Sequence, residues 1–432
     1  MSETVEKNDT PEPSEASQAA AFGGQATEAA AVEVPSYMPR RTFGQLLRGD
    51  LGFLPVLLTL IVVVIYFTIT TNGVFLHQEN LSNLVGQIVT FGILGLGVIM
   101  VLLLGEIDLS IAAVSVFCSV VMAVLSERNG VPGLVAILAG VLAGTVVGLI
   151  NGLFVAVLRV PSFIVTLAAS IFYSGLLLHL LGTQSTLIIS NNLILQIAGT
   201  PQSFLPDYLG IGLPSLAVLL YAISLIISYV RRRRAGLRTV SLLQVVLQIA
   251  ITTVLVGGAV AIFESYQGVP YPAAILFALI VLFWLIMTKT SFGRHVYAVG
   301  GNAEAARRAG INVVGIRIVC FTLCSTLAAV GGIILASRGT AVASLIDPVL
   351  LLNAIAAAVI GGVSLFGGRG SVWAVVLGAL IIGSLINGLA LQNQGTDVSE
   401  MVEGIVLLIA VTVDALIPVS YTHLTLPTNR EV

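Results

Sequence analysis

Charge is what this chain has least of. Only 9% of its 432 residues are Asp, Glu, Lys or Arg, against 57% hydrophobic. A soluble domain carries roughly 25% charged residues, so this chain cannot clothe a water-facing surface of normal size. Lysine is confined to Lys7 and Lys289. Neither follows a Gly-x-x-x-x-Gly-Lys-Ser/Thr loop, the backbone cradle that holds nucleotide phosphates, so the chain supplies no ATPase of its own. His77, His179, His295 and His423 are scattered, which leaves no metal cluster and no nucleophile–base pair. Cys118, Cys320 and Cys324 all lie in apolar stretches and suggest neither a disulfide framework nor a metal site. A net charge of −2 argues against a nucleic-acid partner, which needs a dense basic face. No residue is assigned to catalysis, metal binding or cofactor binding, and the chain is not expected to be an enzyme.

What is present is apolar length. Mean hydropathy is +1.05, and a membrane span needs roughly 17–25 mostly apolar residues. Candidate spans fall at 53–71, 84–104, 109–125, 134–157, 163–181, 209–229, 242–263, 272–287, 313–336, 350–366, 371–390 and 402–416. The fold class expected is therefore all-α, a polytopic transmembrane helical bundle of about 12 spans occupying residues 46–416. Residues 1–45 are acidic and rich in Ala, Ser, Thr and Pro, material that buries too little to fold. They read as a disordered cytoplasmic tail and not as a signal peptide, whose start is basic. Residues 417–432 read as a non-helical tail. They are either translated adapter sequence foreign to the protein or a real unstructured end.

Cytoplasmic loops are enriched in Lys and Arg. Arg40, Arg41 and Arg48 precede the first span, Arg231 to Arg234 with Arg238 fill one loop, and Lys289 through Arg317 fill another. With twelve spans these loops share one side, which places both termini in the cytoplasm. Arg128 and Arg338 fall on the other side with Glu79, Glu127, Asp207, Glu264, Asp347, Asp397 and Glu400. Gly148-Leu-Ile-Asn-Gly-Leu153 recurs as Ser384-Leu-Ile-Asn-Gly-Leu389 on spans of opposite direction. An inverted repeat leaves such a trace, and so does chance in a chain rich in Leu, Ile and Gly.

The most informative loop runs from Thr288 to Asn312. Asn302 suits a helix cap, Glu304 the positive amino end, Arg307 and Arg308 the carboxyl end, and Gly310 the stop. The pattern predicts a short helix outside the bilayer with Ala303, Ala305, Ala306 and Ala309 on one side. It can be a knob that docks into a soluble partner, or simply a solvated, positively charged connector. Polar residues inside spans, namely Gln87, Thr90, Asn151, Thr166, Ser170, Tyr173, Asn353 and Asn387, either line a path or hydrogen-bond neighbouring helices. Glu106 and Asp108 follow the second span. Asp108 can cap the next helix, or belong to a broken helix beside a transported solute.

The string Tyr297-Ala-Val-Gly-Gly-Asn-Ala-Glu-Ala-Ala-Arg-Arg-Ala-Gly-Ile-Asn-Val313 resembles the coupling loop of permease subunits of bacterial ABC importers for monosaccharides. Three more motifs carry the resemblance: Gly105-Glu-Ile-Asp-Leu-Ser110, Val160-Pro-Ser-Phe-Ile-Val-Thr-Leu167 and Gly361-Gly-Val-Ser-Leu-Phe-Gly-Gly-Arg-Gly-Ser371. It spans about residues 50–416, and Glu106 with the extra spans around Arg231–Arg234 favours the xylose-type branch. The resemblance implies a permease homodimer or pair, a separate ABC ATPase that binds ATP, an extracellular or periplasmic sugar-binding protein, and residence in the bacterial plasma (inner) membrane. The solute expected is a pentose such as xylose. Alternatives are a permease for nucleosides or branched-chain amino acids, or a stand-alone secondary carrier or channel. On this reading Gly300, Gly301, Asn302, Ala303, Glu304, Ala305, Arg307, Arg308 and Gly310 form the ATPase-coupling loop. Glu106, Asp108, Asn151, Thr166, Tyr173, Asn353 and Asn387 are the pathway candidates.

Overall fold

The computed structural model describes residues 54–200, 203–236 and 241–422, with side chains to residue 412. The expectations for the tail 1–45, for Arg40, Arg41, Arg48 and Arg238, and for residues 423–432 lie outside the described residues. What is described is an all-α polytopic membrane protein. In hydrocarbon no water satisfies the backbone, so each crossing segment must close its own hydrogen bonds as a helix. Nine of the described helices are long and apolar enough to cross a membrane.

In chain order the first helices are α1 (Leu54–Thr70), α2 (Gln78–Leu102), α3 (Ile111–Ala123), α4 (Gly133–Ala156) and α5 (Ser162–Leu181). A short strand β1 (Thr186–Ile188) and α6 (Asn192–Ala198) precede α7 (Asp207–Arg234), α8 (Leu242–Glu264) and α9 (Tyr271–Lys289). Then come α10 (Ser291–Gly301), α11 (Ala303–Arg308), α12 (Val313–Gly339), β2 (Ala341–Ala343), α13 (Pro348–Ile360), α14 (Ala374–Leu391) and α15 (Thr396–Thr422). Each of the twelve apolar segments read from the sequence coincides with one of these helices. Two boundaries need correction. The segment 350–366 stops as a helix at Ile360, because Gly361 and Gly362 (φ 100°) turn the chain out. Residues 417–422 are helical, the last part of α15, and do not belong to a non-helical tail.

The core is built on α2 and α12. The most apolar stretch of α2 is 78% buried and that of α12 61%. Helix α12 packs on α4, α2 and α3, while α2 also packs on α13 and α14. Close approach comes from glycine. Gly140, Gly144, Gly148 and Gly152 form one stripe of α4, and a Cβ on Gly144 would lie 2.7 Å from the Ser325 carbonyl oxygen. On Gly152 it would lie 2.9 Å from the Ile318 Cα. Without a hydrophobic force between helices in lipid, such backbone contact supplies the packing energy. By contrast α7 and α8 bury only 6% of their apolar windows. They pack mainly on each other, a peripheral hairpin whose second helix starts at a Ser241–Gln244 capping box.

Alternate helix ends gather on two faces. On one face β1 pairs antiparallel with β2, Leu187 opposite Val342, which ties the loop after α5 to the end of α12. There too Arg128 donates to the Leu180 and Leu181 carbonyls at 2.7 Å, meeting the negative end of α5. The segments Gly148–Leu153 and Ser384–Leu389 sit on α4 and α14.

Candidate functional site

The opposite face holds the loop expected to couple. Two consecutive helices occupy it, because Thr290 caps α10 and Asn302 caps α11 by accepting from Ala305 N at 2.9 Å. Glu304 pairs with Arg307 and Arg308, both at 3.2 Å. Gly310 (φ 83°) ends α11, and Ile311 N returns to Ala306 O at 3.0 Å, the hydrogen bond of a left-handed helix stop. The four alanines do not share a side. Ala306 is buried and Ala303 half-buried, whereas Ala305 and Ala309 are exposed with Glu304, Arg307 and Arg308. In a two-turn helix residues three apart face together, so 303 and 306 turn inward while 305 and 309 turn out.

Three sequence motifs distant in the chain meet beneath this loop. Gly368 N donates to Leu103 O at 2.9 Å, just past the end of α2. A Cβ on Gly367 would lie 2.7 Å from Gly105 N and 2.9 Å from Gly300 O, and one on Gly300 would run into Leu103 O. Gly105, Gly367 and Gly368 have φ values of 73°, 83° and 71°, which only glycine adopts without strain. The Tyr297 hydroxyl adds a bond to Gly370 O at 3.0 Å, and burial pushes its phenol above the usual tyrosine range. The loop from Thr288 to Asn312 therefore rests on bare backbone of the α2–α3 and α13–α14 joints.

The α2–α3 joint is tied down by side chains. Asp108 accepts from Ser110 N at 2.8 Å and Ser110 Oγ at 2.6 Å, so it shapes the turn into α3. Asn151 of α4 donates to Ser110 Oγ at 3.2 Å, and Leu109 N donates to Thr166 Oγ1 of α5 at 3.0 Å. Glu106 pairs with Arg317 at 3.0 Å. Farther off, Asn387 and Asn80 exchange amide bonds at 2.9 and 3.0 Å. Asn353 contacts the buried Glu403, and the Tyr173 ring packs on Phe117 at 5.3 Å. Of the seven pathway candidates, Asp108, Asn151 and Thr166 are thus brought together, Glu106 adjoins them, Tyr173 stands farther along α5 from Thr166 within electrostatic reach of Asp108, and Asn353 and Asn387 lie elsewhere.

Two open hollows are found among the described residues. One of about 350 Å³ lies on the face of the β1–β2 pair, and Ser82, Asn83, Tyr266, Gln267 and Arg338 contribute to its wall. The other, about 310 Å³, lies on the opposite face, beside α11, among Glu106, Arg159, Arg307 and Arg317. Glu106 is the one pathway candidate among these lining residues. Sequence reading missed both cavities, since their residues come from loops far apart and no local spacing joins them. Among the described residues no cluster of three His, Cys, Asp or Glu side chains could hold a metal.

Comparison with known proteins bears on the same residues. The family described as branched-chain amino acid transport system / permease component matches residues 80–411. The xylose transport system permease protein XylH of Haemophilus influenzae is 37% identical over 360 residues, 83% of this chain and 94% of that protein. Its Escherichia coli K12 counterpart is 35% identical over 82% of this chain and 90% of its own length. The ribose import permease protein RbsC of Bacillus subtilis is 33% identical, over 83% and 91%. No solved structure gives a significant match.

Proposed function

Because this chain belongs to the branched-chain amino acid transport system / permease component family, we propose that it is the membrane-spanning subunit of an ATP-driven importer for a sugar, with xylose or another pentose as the solute. It is a multi-pass protein of the bacterial inner membrane. The chain supplies the path and no chemistry; a separate ABC ATPase docks on α11, a soluble sugar-binding protein delivers solute at the opposite face, and two permease chains pair. Twelve helices cross, with both ends on the coupling face and that face in the cytoplasm. The α4 and α14 segments around Asn151 and Asn387 descend from an inverted repeat.

The observation that carries this reading is the glycine junction. It puts the coupling loop in backbone contact with the joints of α2–α3 and α13–α14, the elements around the buried core, so a push on α11 moves helices and not merely a loop. The hydroxyl, amide, guanidinium and phenol groups around the 350 Å³ cavity suit a neutral polyol, and the similar proteins are named for xylose and ribose. The family's own description supports a second reading, branched-chain amino acids, for which Arg338 would hold a carboxylate.

The test is reconstitution of the chain with its ATPase and binding protein in vesicles. ATP-driven accumulation of labelled xylose, but not leucine, is expected. The chain alone should neither hydrolyse ATP nor accumulate sugar under a proton gradient. Leucine accumulation selects the second reading; accumulation by the chain alone rejects the importer.

A further inference from the structure

The 310 Å³ cavity on the coupling face is lined by three arginines and one glutamate drawn from four separate parts of the chain. Arg159 comes from the α4–α5 loop, Arg307 from α11, Arg317 from the first turns of α12, and Glu106 from the α2–α3 joint. Two of the cations are answered: Glu106 pairs with Arg317 at 3.0 Å and Glu304 with Arg307 at 3.2 Å. Arg159 has no ion-pair or hydrogen-bond partner among the described residues. Nor is Arg317 satisfied, since its Nε is buried without an acceptor. A buried donor left unmade costs about 1–3 kcal/mol, so Arg317 calls for an acceptor, and the wall sets the exposed Arg159 with Arg307 and Arg317 against the single carboxylate of Glu106. Ser162 and Pro161 also line it, and they open α5, whose first turn has no side-chain cap. Its positive end therefore adds to the field there.

Guanidinium forks meet phosphate oxygens with paired hydrogen bonds. The surroundings say how a phosphate is presented. The lining stretch from Val155 to Ser162 is interrupted and bounded in the chain by exposed apolar residues, Leu158 at 62% and Phe163 at 54%, with Phe154, Val157 and Ile164 exposed as well. A basic socket with an apolar apron accommodates a headgroup and its acyl chains together, whereas a docking site for a soluble protein has no use for the apron. We propose that this cavity binds the phosphate headgroup of an anionic phospholipid in the leaflet at the coupling face. With Arg307 in its wall, the bound lipid braces α11 against α12 and the α4–α5 loop. The inference rests on the membrane-spanning reading and is independent of which solute is carried.

Arg159 is the residue to change. It sits at φ 57°, a conformation Asn tolerates, so Arg159→Asn removes the charge and leaves the turn intact. Full-length chain purified into nanodiscs containing phosphatidylglycerol should retain one tightly held phosphatidylglycerol in native mass spectra. Arg159→Asn should weaken that retention by roughly tenfold or more, while melting at the wild-type temperature. Equal retention by both proteins overturns the proposal. Displacement of the lipid by millimolar inorganic phosphate overturns the lipid source and leaves a soluble phosphate site. Displacement by the partner ATPase makes the occupant an acidic side chain of that partner and likewise overturns it. Failure of xylose uptake with lipid retention intact bears only on the solute.

Discussion

Gly300 and Gly301 are neighbours with opposite surroundings. A Cβ on Gly300 would strike the Leu103 carbonyl, whereas one on Gly301 has nothing within 4 Å. Overpacking a closed site costs typically 1–3 kcal/mol, and open surface positions stay within about 0.5 kcal/mol. Gly300→Ala should therefore lower the melting temperature in detergent and reduce ATP-driven uptake, with Gly301→Ala matching wild type in both. Two indistinguishable variants would remove the junction from the mechanism. The buried amides make a related point. Asn387 reads from sequence as a pathway candidate, yet it is spent on Asn80, which also donates to Phe75 O at 2.9 Å. Asn387→Leu leaves Asn80 short of a partner, so a loss of about 1–3 kcal/mol is expected, largely recovered in Asn80→Leu/Asn387→Leu. Melting of the three variants checks it; a single variant as stable as wild type would show that the pair is idle. Sequence reveals that an amide lies in a span and cannot reveal whether another amide faces it.

Among elements, long apolar helices were legible because hydropathy alone marks them, and the cap at Asn302 was legible because its chemistry is local. Helix α10 was missed although its signals are local: Thr290 caps it and Gly293, Val296 and Val299 recur on its buried side, but three glycines in eleven residues lower its helix propensity. The faces of α11 were misread because its inward side is chosen by what lies beneath. Buried Ala306 and exposed Ala305 now give opposite expectations. Ala305→Trp should leave abundance and melting normal while abolishing ATPase association and uptake. Ala306→Trp must displace the helix and should reduce membrane abundance itself. Measuring both quantities for both variants decides the matter. Normal ATPase binding by Ala305→Trp would move the docking surface elsewhere.

At the scale of the molecule, the two faces differ in charge. Arg159, Arg231 to Arg234, Lys289, Arg294, Arg307, Arg308, Arg317 and Arg369 lie on the coupling face, against Arg128 and Arg338 on the other. Short loops rich in Lys and Arg stay in the cytoplasm, so the coupling face is expected there. The cavities could not be foreseen from such a pattern, because they depend on how loops fold over one another rather than on which side they emerge. Orientation can be tested without removing any native thiol: Cys118, Cys320 and Cys324 are all fully buried, and a thiol shielded from water reacts slowly. Thr183, just beyond α5, and Ala235, at the end of α7, are exposed on opposite faces. In intact cells a membrane-impermeant maleimide should label Thr183→Cys within minutes and leave Ala235→Cys untouched until the membrane is opened. Reversed labelling would invert the molecule and place the basic loops outside. Labelling of both from outside would mean that α7 does not cross, and the α7–α8 hairpin, so little buried in the bundle, is where an error in the count of crossings would fall.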